Sequence, residues 1–102
     1  MQAFIDLQGL SGALYRFRLS PNGQTDSPMA GNYALVVPEG STVVAIGSTN
    51  DLRLATAEWK RALVKHSDVQ LYTRLNVSSS ARDAEQVDLA SHYKLRSNRL
   101  PV

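Results

Sequence analysis

The chain has no cysteine. Disulfide bridges, thiolate metal sites and a cysteine nucleophile are therefore excluded. Histidine is nearly as scarce: His66 and His92 stand far apart, so a histidine-rich metal site is not expected. No apolar run approaches the roughly 20 residues of a membrane span. The opening Met1-Gln2-Ala3-Phe4 lacks the basic and apolar regions of a secretion signal. These absences lead to the expectation of a cytoplasmic protein with no membrane partner. Its 102 residues are 43% hydrophobic and 20% charged, the profile of one ordinary globular domain over residues 1–102. A chain of this length buries a small core without staples.

Net charge is also small, at +2, but unevenly placed. Residues 1–50 carry Arg16 and Arg18 against Asp6, Asp26 and Glu39. Residues 51–102 carry nine basic and six acidic residues, and Lys94, Arg96 and Arg99 close the chain with no acid among them. This asymmetry permits a polyanion partner. A solvated helix surface with a basic tail accounts for it better on charge alone, since a nucleic-acid-binding domain is usually more basic than this. Several catalytic motifs are missing: Gly47-Ser48-Thr49 lacks the glycines and lysine of a phosphate loop, and there is no G-x-S-x-G elbow.

What is present reads as strands and two helices. Residues 3–7 and 13–19 alternate as a hairpin, with Gly9 and Gly12 bracketing its loop and Arg16 and Arg18 on the wetter face. Residues 20–31 form a loop punctuated by Ser20-Pro21-Asn22-Gly23 and Asp26-Ser27-Pro28, long enough to lie over one end of a sheet. Two β-branched and aromatic runs follow, residues 31–37 and 42–48, joined by a turn at Pro38 and Gly40. Apolar side chains at both parities suit a central hairpin covered on both faces.

A helix is expected to start at Thr49 or Asn50, with Asp51 near its positive end. Its apolar stripe is Leu52, Ala55, Trp59, Ala62 and Leu63, ending at His66 as a capping or interfacial residue. Residues 69–77 alternate as a fifth strand. Ser80, with Asp83 three residues on, suggests the cap of a second helix running to about Tyr93, with Ala84, Val87, Leu89 and Ala90 inward. The tail after it reads as extended. The fold class is thus α+β: a central antiparallel sheet of about five strands with two main helices.

Gly31-Asn32-Tyr33, eleven residues, then Ala45-Ile46-Gly47 resembles the paired motifs of the GIY-YIG nuclease family. The order that follows is similar too: a helix with a polar start and a leucine, a third strand, a helix carrying a glutamate, and an asparagine near the end, here Asn98. The resemblance spans about residues 31–98 and leaves the hairpin of residues 1–19 as an addition. It implies a nucleic-acid phosphodiesterase using one divalent metal, Mg or Mn, in which tyrosines lie by the attacking water. An arginine steadies the phosphate, and a glutamate holds the cation, which polarises the phosphoryl oxygen.

Position by position, Tyr33 matches the first tyrosine and Gly47 the second glycine. Asn32 stands for the middle isoleucine and Ala45 for the second tyrosine. The arginine position is Ala55; Arg53 lies two residues earlier, roughly 200° round the helix. Glu85 matches the metal glutamate, with Gln86 one residue away. The resemblance therefore implies Tyr33 and Glu85 as remnant catalytic residues and Glu85 as the metal ligand. Arg53, Lys60, Arg61, Arg74 and Arg82 are candidates for nucleic-acid contact.

The function expected is a nuclease-like domain that associates with DNA, its catalysis weak or lost. The alternative is a protein-interaction module using the edge of the first hairpin. Two geometric conditions test the site: Leu35 must pair with Ala45 if Tyr33 and Ala45 are to share a face, and Tyr33, Glu85 and a basic side chain must meet in one cleft.

Overall fold

The structure is a computed structural model describing residues 3–95 and, by their backbone, 98–99. Strands β1 (Phe4–Gln8), β2 (Leu14–Ser20), β3 (Gly31–Val37), β4 (Thr42–Thr49) and β5 (Gln70–Leu75) build the antiparallel α+β sheet that the alternation predicts. A two-residue strand, β6 (Asn98–Arg99), adds itself in parallel beside Gly47 and Ser48. The order across the sheet is β1-β2-β5-β3-β4-β6, so the first hairpin joins the rest through β2 and β5. The side chain of Asn98, and Arg96 altogether, lie outside the described residues.

Helix α1 (Ala55–Ala62) covers one face and α2 (Ser79–Tyr93) the other. Under α1 lie Tyr33, Leu35, Leu71 and Val69 with Ala55. Trp59 completes that layer, donating from Nε1 to the Val69 carbonyl at 2.9 Å. Its ring also lies where a Cβ on Gly23 would stand, which ties the long loop to α1. Under α2 lie Leu7, Phe17, Ala34, Val36, Ile46 and Tyr72 with Leu89. Both faces of β3 and β4 are covered, as their unbroken apolar pattern requires.

Three local expectations are corrected. Thr49 and Asn50 do not cap the first helix. Thr49 is still paired in β4, and its hydroxyl bonds the Asp51 backbone; Asp51 caps a 3₁₀ turn, Leu52–Leu54, that precedes α1. The second helix is capped by Ser78, whose hydroxyl accepts from the Ala81 amide at 3.4 Å, so it starts before Ser80. Finally, α2 turns a different face inward. Ala84 is exposed and Val87 is 57% exposed, whereas Arg82 and Gln86 are buried in line with Leu89 and Ala90.

Asp88 of α2 clasps the first hairpin. Its carboxylate accepts from the Ser11 amide at 2.8 Å, the Ser11 hydroxyl at 2.6 Å and the Tyr15 hydroxyl at 2.8 Å. The Ser11 and Tyr15 hydroxyls hold the Asp88 carboxyl below its ordinary 3.8. The same bond to Asp88, with burial, raises the Tyr15 phenol above 10.0. A depressed carboxyl adds stability that is complete above 3.8 and is lost as pH falls through its lower folded value. A raised phenol adds stability that is complete below 10.0 and is lost as pH rises through its higher folded value. The urea midpoint should therefore fall on both sides of this window. Asp88→Asn should flatten the acid limb and Tyr15→Phe the alkaline limb. An acid limb identical in wild type and Asp88→Asn would contradict the clasp.

Candidate functional site

The motif on β3 and β4 is held together by packing. Tyr33 lies directly across from Gly47 and is 0% exposed. A Cβ on Gly47 would stand inside the Tyr33 ring, so the glycine makes room for the aromatic side chain. Leu35 pairs with Ala45, as the first condition demands, and Val37 also pairs with Thr42. Both registers coexist because Val44 is an extra residue in β4, a bulge between the pairs Leu35–Ala45 and Val36–Val43. Tyr33 and Ala45 thus share the α1 face.

Glu85 belongs to the other face. Its Oε1 accepts from Arg74 Nε at 2.9 Å and its Oε2 from Asn76 Nδ2. Arg74 pairs across the sheet with Asn32, the neighbour of Tyr33 that points the opposite way. The sheet therefore stands between Tyr33 and Glu85, and the second condition is not met. Both Glu85 oxygens are engaged by donors, which does not fit a carboxylate waiting for a hard cation. Among the described residues, no three of His, Cys, Asp and Glu gather closely enough to hold a metal.

The candidate phosphate contacts are spread over both faces and mostly engaged. Arg53 NH2 reaches Asp51 at 2.7 Å; this contact lowers the Asp51 pKa and raises that of Arg53. Arg61 reaches Glu58 at 2.6 Å on the exposed side of α1, where Lys60 also lies. Arg74 is spent on Glu85, with its guanidinium over the Tyr15 ring. Arg82 is only 7% exposed and makes three bonds to neutral acceptors: the carbonyls of Asn76 at 3.0 Å and Val77 at 2.9 Å, and Asn50 Oδ1 at 2.7 Å.

Arg82 anchors a polar layer that the alternation in the sequence did not reveal. Asn32 donates to the Arg82 carbonyl at 3.1 Å and accepts from Asn76 at 3.1 Å; Ser48 donates to Gln86 Oε1 at 2.7 Å. A signal existed: Leu89 and Tyr93, traced back by helical steps, lead to Gln86 and Arg82. The layer joins α2 to β3, β4 and the loop after β5. Its polar atoms bond mainly to one another, as a structural clamp requires.

A different surface is open. Among the described residues, nothing pairs with the outer side of β1. The Leu19 amide bonds the Ala3 carbonyl at 2.8 Å and the Gly9 amide bonds the Ala13 carbonyl at 2.9 Å. In an antiparallel ladder the odd residues of β1 therefore bond to β2, and the N–H and C=O groups of Phe4, Asp6 and Gln8 point outward. Alongside runs a groove of about 520 Å³, whose apolar lining includes Ile5, Leu7, Val36 and Tyr72. Phe4, 53% exposed, stands at its rim. Among the described residues, no helix is long and apolar enough to cross a membrane.

Comparison with family models, curated proteins and solved structures gives no match.

Proposed function

We propose that this domain is a non-catalytic interaction module that receives an extended segment of a partner protein beside β1. The observation that carries it is the row of outward backbone groups on Phe4, Asp6 and Gln8 next to a groove of mixed lining, in which Ile5, Leu7 and Val36 supply the apolar part. Strand addition uses such an edge: main-chain bonds supply affinity and neighbouring pockets read alternate side chains. In this reading the GIY-YIG-like motifs serve as fold elements. Tyr33 and Gly47 fill one another's space, and Glu85 neutralises Arg74.

The test is selection from a displayed library of random peptides, with wild type and Asp6→Pro in parallel. The Asp6 amide faces outward, so proline there blunts the edge without breaking a bond to β2. Captured peptides should shift the amide resonances of residues 4–8 and should not bind the variant. Peptides that bind both proteins equally would defeat the proposal.

Nucleic-acid association is the second reading, favoured by the cationic surplus of residues 51–102. Arg18, Lys60, Lys65 and Lys94 make no ion pair among the described residues. That reading expects duplex or branched DNA to bind with an affinity falling steeply as salt is added. Cleavage in Mg²⁺ or Mn²⁺ that Glu85→Ala abolishes would extend it to an enzyme. No binding even at low salt would end it.

A further inference from the structure

We infer that the pocket between the sheet and the loop after β2 binds a free amino acid with an apolar side chain, held as its zwitterion. The inference does not depend on reading β1 as an interaction edge. The pocket encloses about 390 Å³, toward the low end of the roughly 300–1,000 Å³ of small-molecule sites. Its floor is a part of the sheet beside α1. Arg18 pairs directly with Thr73, and Ser20 with Leu71, across β2 and β5. Residues opposite one another share a face, so Arg18, Ser20 and Thr73 lie on the side where Leu71 packs under α1. Gln24 and Asp26 of the loop also line the pocket, and Leu52 and Leu75 supply apolar wall.

Charge selects the ligand. The lining holds one cation, Arg18, and one anion, Asp26. Both are exposed, and neither makes an ion pair or a side-chain hydrogen bond with another described residue. Arg16, the neighbouring cation on β2, is paired with Asp6 and does not line the pocket. Two open charges of opposite sign suit a ligand that carries both. An α-amino acid does: its carboxylate matches the planar fork of Arg18, and its ammonium matches the Asp26 carboxylate. Ser20 and Thr73 reinforce the first contact. Their hydroxyl oxygens lie 3.3 Å apart, and Ser20 is buried. One hydroxyl proton serves the bond between them, and the other remains to donate to a carboxylate. Leu52 and Leu75 then receive the apolar side chain. A simple anion would meet Asp26 as a like charge, and a simple cation would meet Arg18 in the same way.

The probe is L-leucine, titrated at low ionic strength into the isotopically labelled protein. It should shift the amides of Arg18, Ser20, Thr73 and residues 24–27, with a dissociation constant on the order of millimolar. N-acetyl-leucine lacks the ammonium and leucinamide lacks the carboxylate. Each should bind at least about threefold weaker than leucine, the worth of one exposed charge contact. Leucinamide is titrated slightly below neutral pH, where its amine is protonated. Arg18→Gln should weaken leucine and leave leucinamide unchanged. Asp26→Asn should weaken leucine and should not weaken N-acetyl-leucine. Both side chains are exposed and unbonded, so both variants should keep the wild-type urea midpoint. N-acetyl-leucine binding as tightly as leucine, with no effect of Asp26→Asn, would make this a plain anion site and overturn the inference. No shift at these amides as leucine nears its solubility limit would overturn it as well.

Discussion

Arg82→Met should cost the fold about 3–5 kcal/mol, a large part of the roughly 5–15 kcal/mol that holds a domain together. The side chains are close in length, so the loss is not one of volume. The guanidinium donates to two backbone carbonyls and to the Asn50 amide oxygen, spanning the loop after β5 and the turn after β4. Methionine removes three bonds from a charged donor, each worth about 1.5–3 kcal/mol, while water reaches the exposed Asn50 and Val77 and offsets part of the loss. Arg82→Lys should recover only part of the loss, because an ammonium lacks the planar fork that reaches acceptors on two loops. Urea unfolding followed by the fluorescence of Trp59, the single tryptophan, measures the effect. A loss under about 1 kcal/mol for Arg82→Met would mean that water satisfies those carbonyls and that the clamp has been misread.

Tyr33→Ala should be comparably severe, at about 3–5 kcal/mol, since it empties a fully buried aromatic site beneath α1. Its partner gives the sharper test. Gly47→Ala inserts a Cβ where the Tyr33 ring lies, and overpacking of this kind costs about 1–3 kcal/mol. Tyr33→Leu, with a smaller side chain, should relieve much of that clash, so Gly47→Ala should cost less in the Tyr33→Leu background than in wild type. A double-mutant cycle reads the coupling directly. If the two substitutions are additive, Gly47 is not kept clear for Tyr33. Under the proposed function these variants lose stability first and lose β1 binding only as the protein unfolds, because neither residue lies at the edge or lines the groove.

The two helices differ in how well they could be read. The stripe of α1 is apolar from Ala55 through Trp59 and Ala62, so one face alone suits burial. Helix α2 is weakly amphipathic. Ala84 and Val87 make a plausible inward face, and so do Leu89 and Ala90; hydropathy does not rank Arg82 and Gln86 above them. The choice is made by acceptors and donors far away in the chain: Asn50, Ser48, Asn32 and the carbonyls of Asn76 and Val77. Helical steps back from Leu89 and Tyr93 reach Gln86 and Arg82, but the bonds that select this face over that of Ala84 and Val87 run between distant segments and have no period of their own.

The candidate site divides in the same way. Tyr33 and Gly47 are visible as a pair because their strands are joined by a short turn. The separation of Tyr33 from Glu85 is set by the parity of Asn32 and Arg74 in a sheet whose order is not the order of the chain.

By itself, then, the sequence determined the five main strands, the two helices, the central hairpin covered on both faces, and the absence of thiol chemistry. Each of these follows from local periodicity or composition, which neighbouring residues carry. The tertiary structure alone decided the Val44 bulge, the inward face of α2, the Asp88 clasp, the engagement of Glu85 by Arg74 and Asn76, and the groove beside β1. Each of those depends on a partner far away in the chain, and only the packed sheet brings such partners together.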